Sequence, residues 1–139
     1  MRFQKYQALG NDYLVLETDG ERALIPSLIR RICNRHFGVG SDGILLESAP
    51  GPGARFGLRI LNPDGSEAEK SGNGLRIFSR FLWDEGRVTA EPFIVSTRGG
   101  DVTCQVRPGG QQVFVEMGKA SFDSARIPVA GPPREVVGE

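Results

Sequence analysis

The chain has 139 residues, which is enough for one domain with one hydrophobic core. Its 17 basic and 17 acidic residues cancel, which argues against a nucleic-acid or membrane-surface partner. No apolar stretch approaches the roughly 20 residues of a membrane span, and the start of the chain has no apolar core of signal-peptide type. The sequence therefore predicts a soluble, cytoplasmic protein.

Hydrophobic periodicity and turn residues predict the elements of the first half of the chain. Pro26 and Gly38 suit the first turn and the C-terminal cap of a helix between them. In chain order we predict two short strands within 1–17 broken at LGND, a helix at 25–38, a glycine-rich turn at 38–43, strands at 43–48 and 55–62, and a turn at 63–66.

The second half is predicted to contain a helix at 73–85, a strand at 92–100 and a hairpin with its turn at 108–110. The helix is apolar over most of its circumference, so it needs a sheet on several sides. The hairpin strands place apolar residues on one face each: Val102, Cys104 and Val106 on the first, Val113, Val115 and Met117 on the second. We therefore expect an α+β domain in which a curved antiparallel sheet wraps around a central helix.

The two cysteines, Cys33 and Cys104, lie far apart and belong to no CxxC or histidine pattern. They are expected to be buried thiols rather than disulfide partners or metal ligands. The single histidine, His36, falls on the apolar side of the first predicted helix, which favours a structural role.

The sequence SGNG, residues 71–74, stands directly before the second helix. The first N–H groups of a helix have no internal partner and carry partial positive charge, and glycines let a ligand approach the backbone. Gly72 and Asn73 are thus candidates for binding a carboxylate or phosphate, with Ser71 beside them. Serine is also a favoured N-cap, and Gly and Asn are common in turns, so a cap without a ligand explains the same pattern.

Similar turns of small or amide residues recur at 8–13, 38–43, 61–74 and 96–100. Asn11, Asn62 and Asn73 offer neutral donors and acceptors. These groups suit a zwitterionic amino acid better than a metal ion, which would need His, Cys or clustered acids. The sequence therefore favours a small amino-acid ligand and no metal.

Four motifs, LGND, HFGVGSDG, LNPDGSEAEKSGNGLRIFSRFL and VSTRGG, resemble in order and spacing the N-terminal half of the diaminopimelate epimerase family. The resemblance implies two similar domains with the active site between them. It implies epimerisation of LL- to meso-diaminopimelate, for lysine and peptidoglycan synthesis, without cofactor or metal. One thiolate takes the α-proton and a second thiol returns one. On this resemblance, residues 1–120 form the N-terminal domain, and residues 121–139 begin the crossing to a second, absent domain.

Carried over by position, Asn11 and Asn62 match substrate-binding asparagines of the family, and Gly72 and Asn73 match the turn that holds the α-carboxylate. Ser71 falls where the family usually has its first catalytic cysteine. A thiol with a pKa of about 8.5 can ionise at a helix N-terminus, whereas a serine hydroxyl needs a neighbouring base. Three ionisable residues lie nearby, but their spacing from Ser71 does not predict that any of them is this base: Glu67, Glu69 and Lys70.

Three explanations for the serine at position 71 stay open. It can be native to a branch with altered chemistry, it can be a Cys→Ser substitution that traps an inactive enzyme, or it can be activated by a group in the second half. The alternative functions are accordingly a related amino-acid dehydratase or isomerase, or a non-catalytic domain. A lone half would expose strand edges and an apolar face, so the chain could also pair with itself as a homodimer.

Overall fold

A computed structural model describes residues 2–17, 24–127 and 129–136. These residues form one mixed sheet that curves around the second helix. The elements are β1 (Arg2–Ala8), β2 (Asn11–Glu17), α1 (Pro26–Cys33), β3 (Ile44–Ser48), β4 (Phe56–Leu61), β5 (Glu67–Ala68), α2 (Gly72–Asp84), β6 (Phe93–Thr97), β7 (Gly100–Val106), β8 (Val113–Val115) and a 3-10 helix (Ser124–Arg126).

The sheet has the strand order β1-β2-β3-β4-β6-β7-β8, and β5 pairs with β4 away from this path. The predicted fold class, a curved sheet wrapped around a helix, is confirmed. Most neighbouring strands are antiparallel, as expected, but β2 with β3 and β4 with β6 are parallel. These two pairs arise because α1 and α2 lie in the connections between their strands, and a helical crossover returns the chain in the same direction.

α2 forms the centre of the main core. It contacts β1 and β2 near one end of the sheet and β7 and β8 at the other. Leu75, Phe78 and Leu82 are fully buried on it, and Phe78 packs edge-on against Phe56 of β4, with ring centroids 6.5 Å apart. Each such side chain contributes about 1.5–3 kcal/mol to stability by leaving water. Packing on several sides therefore holds the start of α2 in one position relative to the sheet.

α1 covers the opposite face of the sheet. Because side chains alternate along a strand, Val15 belongs to the core around α2 while its neighbours Leu14 and Leu16 pack with Ile29 and Cys33 of α1. The apolar run in β2 is therefore continuous because both faces of the strand are covered. No described helix has the length and apolar character needed to cross a membrane.

α1 ends at Cys33, five residues before the predicted end. Asn34 leaves the helical conformation, and its side-chain Oδ1 accepts the backbone N–H groups of His36 and Phe37, both at 2.8 Å. This local bond competes with continuation of the helix. The prediction that His36 lies on the apolar face of a helix is therefore wrong, because His36 is exposed in the following turn.

The predicted hairpin is confirmed as β7 and β8, with Gly109 and Gly110 at positive φ in its turn. The inward face of β7 is buried, including Cys104, and Val115 of β8 is buried opposite it. Met117 lies beyond the end of β8 and is exposed, so the second strand is shorter than its pattern indicated. Both cysteines are buried free thiols, as predicted.

Candidate active site

α2 begins with a serine N-cap. Ser71 has an extended backbone, and its Oγ accepts the N–H of Gly74 at 3.0 Å while its carbonyl accepts the N–H of Leu75 at 2.8 Å. No hydrogen bond joins the N–H groups of Gly72 or Asn73 to another residue that the structure describes. The serine therefore does cap the helix, and two N–H groups at the positive end of the helix dipole stay available for an anion.

β2 runs beside the start of α2 and meets it with two residues of the same strand face. Asn73 Nδ2 lies 3.4 Å from Asn11 Oδ1, and the hydroxyl of Tyr13 lies 3.4 Å from Ser71 Oγ. The fold thus brings together four of the five predicted site residues: Asn11, Ser71, Gly72 and Asn73.

The contact of Tyr13 with Ser71 was not predicted from the sequence. Tyr13 is only 7% exposed, and its ring lies against Gly43, where an added Cβ would come within 2.7 Å of the ring and of the carbonyl oxygen of Leu61. Position 43 must therefore lack a side chain for the Tyr13 hydroxyl to reach Ser71. The two-residue spacing from Asn11 was the available signal, because it places both side chains on one face of β2.

Asn62 lies apart from these contacts. It follows the last residue of β4, its N–H donates to the carbonyl of Ser66 at 2.8 Å, and its Nδ2 donates to Ser66 Oγ at 2.9 Å. These bonds close the turn between β4 and β5. Within the described parts of the chain, none of its hydrogen bonds reaches Ser71 or Asn73, so its role in substrate binding stays a prediction.

Among the residues that the structure describes, no basic group contacts the hydroxyl of Ser71. Its Oγ is hydrogen-bonded to the Gly74 N–H and is within reach of the Tyr13 hydroxyl, and neither group is a carboxylate or an imidazole. Glu67, one of the acids considered from sequence, instead pairs with Arg59 at 2.9 Å. The described residues also include no group of three or more His, Cys, Asp or Glu that could hold a metal ion. What these contacts supply at Ser71 is hydrogen bonding and the helix dipole.

A charged cluster supports the side of β2 that faces away from α2. Arg35 donates to both oxygens of Asp12, at 2.7 and 3.1 Å, and to Asp42 at 2.8 Å, while Lys5 lies 3.1 Å from Asp12. The Arg35 bonds, helped by Lys5, hold the pKa of Asp12 well below its usual range. The side-chain bond from Asn11, followed by the backbone N–H of Asp12, lowers the pKa of Asp42.

These lowered pKa values predict a loss of stability in acid. An Asp in the unfolded chain has a pKa of about 3.9, and the two folded carboxylates have lower pKa values. Their contribution to the free energy of unfolding is therefore complete above about pH 5 and is lost as the pH falls through the folded-state pKa values. We expect Asp12→Asn to unfold at lower urea than the parent at pH 7, and the gap between them to narrow steadily below about pH 4. Urea unfolding across this pH range measures the gap. A gap that is constant with pH would contradict the assignment.

Solved structures define the fold class. The chain is similar to a hydroxyproline epimerase from Agrobacterium vitis, with a TM-score of 0.63 and 16% identity over 81% of this chain and 40% of that one. It is also similar to a probable proline racemase from Agrobacterium radiobacter K84, with a TM-score of 0.65 and 17% identity over 87% of this chain and 43% of that one. This sheet wrapped around a helix is therefore the domain fold of the racemase and epimerase structures.

Sequence comparison then gives the family. The family model described as diaminopimelate epimerase matches residues 3–123. Diaminopimelate epimerase 2 of Nostoc sp. is 58% identical over 140 aligned positions, covering 100% of this chain and 49% of the relative. Diaminopimelate epimerase of Pelotomaculum thermopropionicum is 39% identical, covering 100% of this chain and 51% of the relative. The chain belongs to the diaminopimelate epimerase family, and it spans about half the length of these relatives.

Proposed function

We propose that this chain is the N-terminal half of a diaminopimelate epimerase, which interconverts LL- and meso-diaminopimelate by proton transfer without a cofactor. The observation that carries the proposal is the start of α2, where free N–H groups of Gly72 and Asn73 lie beside Asn11 and Ser71. A substrate carboxylate would accept from those N–H groups. Ser71 would then stand at the acid–base position beside the α-carbon.

The serine favours a second candidate. Removing an α-proton needs a base, and Ser71 has only the Gly74 N–H and the Tyr13 hydroxyl as described partners. A related dehydratase or isomerase with altered chemistry, or a domain that binds the amino acid without reacting, would explain the serine. The two candidates share the carboxylate site and differ in whether a cysteine at position 71 would allow epimerisation.

The proposed enzyme has its active site between two domains in the cytoplasm. Residues 1–120 would form the first domain, and the chain beyond them would lead to the second. In the described residues, β1 and β8 are the two ends of the sheet and each pairs on one side. Such edges need covering, and the second domain or a second copy in a homodimer would provide it.

Titration of the 139-residue chain with diaminopimelate tests the carboxylate site. We expect saturable binding to the parent and binding at least about tenfold weaker to Asn73→Asp. The new carboxylate repels the carboxylate of the ligand, while an acidic residue is itself favourable at a helix N-terminus. Gln112→Glu, an exposed amide-to-acid change in the hairpin turn, is the matched control and should bind like the parent. Equal affinity in Asn73→Asp would contradict the proposed site.

Exchange of the α-proton in deuterated water tests the reaction on the same samples. The 139-residue chain should show negligible exchange, because the described part of it gives Ser71 no base. Enzyme-like exchange rates in this chain would contradict that expectation. Binding without exchange fits both candidates, and the cysteine substitution considered in the Discussion separates them.

A further inference from the structure

We propose that Asp42 is a positioning residue that fixes the side-chain amide of Asn11, and through it that of Asn73, so that the site presents carbonyl oxygens to the ammonium group of its ligand. The inference rests on the proposed function, since it takes the ligand to be an amino acid bound at the start of α2. It assigns Asp42 a part in selecting a zwitterion over a simple carboxylic acid.

The first step is the contact between Asp42 and Asn11. Asp42 Oδ2 accepts Asn11 Nδ2 at 3.0 Å and the backbone N–H of Asp12 at 3.0 Å. An ionised carboxylate can only accept hydrogen bonds, so the nitrogen of the Asn11 amide must face it. The carbonyl oxygen of Asn11 is thereby turned to the other side, toward α2.

The second step passes this orientation to Asn73. Asn11 Oδ1 lies 3.4 Å from Asn73 Nδ2, and an oxygen facing a neighbouring amide requires that amide to present its N–H. Asn73 Oδ1 is then directed away from Asn11 and has no hydrogen bond to another described residue. Each of the two carbonyl oxygens therefore keeps a lone pair for a ligand.

The third step concerns the ligand. An α-amino acid carries its ammonium next to its carboxylate, and an ammonium has three donors and no acceptor. With the carboxylate on the N–H groups of Gly72 and Asn73, acceptor oxygens nearby match the ammonium. If Asn11 were free to rotate its amide by half a turn, it would present N–H groups to Asn73 and to the ligand, and this match would be lost.

Asp42 is itself firmly held, as a positioning role requires. Arg35 Nη2 donates to Asp42 Oδ1 at 2.8 Å and to Asp12 Oδ1 at 2.7 Å. The backbone N–H of Asp42 lies 2.9 Å from the carbonyl oxygen of Asp12 and 3.0 Å from its Oδ1. Asp42 thus connects the turn at 38–43 to the outer side of β2 and to Asn11 at the ligand side.

Asp42→Asn tests the proposal because it keeps the size of the side chain and can either donate or accept. We would titrate the parent and this variant with meso-diaminopimelate and with pimelate, the same dicarboxylic acid without amino groups. The parent is expected to favour diaminopimelate, and Asp42→Asn to lower that preference about tenfold through weaker diaminopimelate binding. Asp84→Asn, which removes a carboxylate paired with Arg80 near the end of α2, should leave the preference unchanged.

A second measurement needs no ligand. The side-chain amide NMR signals of Asn11 and Asn73 should shift together in Asp42→Asn and stay in place in Asp84→Asn. An unchanged ligand preference in Asp42→Asn, unmoved amide signals, or an equal loss of affinity for both ligands would overturn the positioning role while leaving the proposed function intact. Failure of the parent to bind diaminopimelate would overturn the proposed function, and the selectivity with it.

Discussion

Ser71→Cys is expected to raise the rate of α-proton exchange from diaminopimelate by roughly 100- to 10,000-fold, the usual contribution of a positioned acid–base group. A thiol at this position would meet the Gly74 N–H, now 3.0 Å from the serine oxygen, and the helix dipole. Donors that face a thiolate stabilise the charged form and lower the thiol pKa from about 8.5 toward neutrality. The serine hydroxyl gains too little acidity from the same donors to act as a base.

The exchange measurement requires both faces of the active site. We would replace the matching half of the Nostoc relative by this chain, with and without Ser71→Cys, and follow deuterium incorporation and conversion to the meso form. Thr89→Cys, a change at an exposed threonine between α2 and β6, controls for a thiol that lacks the helix N-terminus. A gain confined to Ser71→Cys supports the epimerase. No gain in a chimera that still binds diaminopimelate favours the altered chemistry or the binding domain.

The sequence predicted those features that depend on local periodicity. The apolar residues around Phe78 predicted a helix enclosed by sheet, and the alternation at Val102, Cys104 and Val106 predicted a hairpin strand. Both predictions held because each pattern shows which face of the element is buried. The end of α1 was missed because it depends on one side chain, Asn34, bonding to the next turn in place of the helix. No hydrophobic pattern carries that information.

The candidate site was predictable in its composition and less so in its contacts. The motif around Ser71 identified the start of α2, but the partners of that motif lie on β2 and depend on where β2 passes the helix. Tyr13 reaches Ser71 only because Gly43 leaves room for its ring, and Asp42 accepts the side-chain amide of Asn11 directly. Such contacts join residues more than 25 positions apart, and a single sequence does not show their pairing.

Phe78→Ala should destabilise the protein by about 3–5 kcal/mol, a large share of the roughly 5–15 kcal/mol that holds a typical domain folded. Phe78 is fully buried, edge-on to Phe56 at 6.5 Å and stacked on Phe81 at 6.2 Å, so its removal leaves a cavity lined by rigid neighbours. Phe114→Ala removes the same side chain from β8, where it is 51% exposed, and should cost less than about 1 kcal/mol.

Urea unfolding of the two phenylalanine variants measures these losses, and titration of the folded protein adds the link to function. Because Phe78 lies about two turns into α2, its packing fixes the position of the N–H groups at Gly72 and Asn73 relative to Asn11 on β2. We therefore expect Phe78→Ala to weaken diaminopimelate binding under conditions where it is still folded, and Phe114→Ala to leave binding unchanged. Equal destabilisation by both variants would contradict the central position of α2 from which the carboxylate site follows.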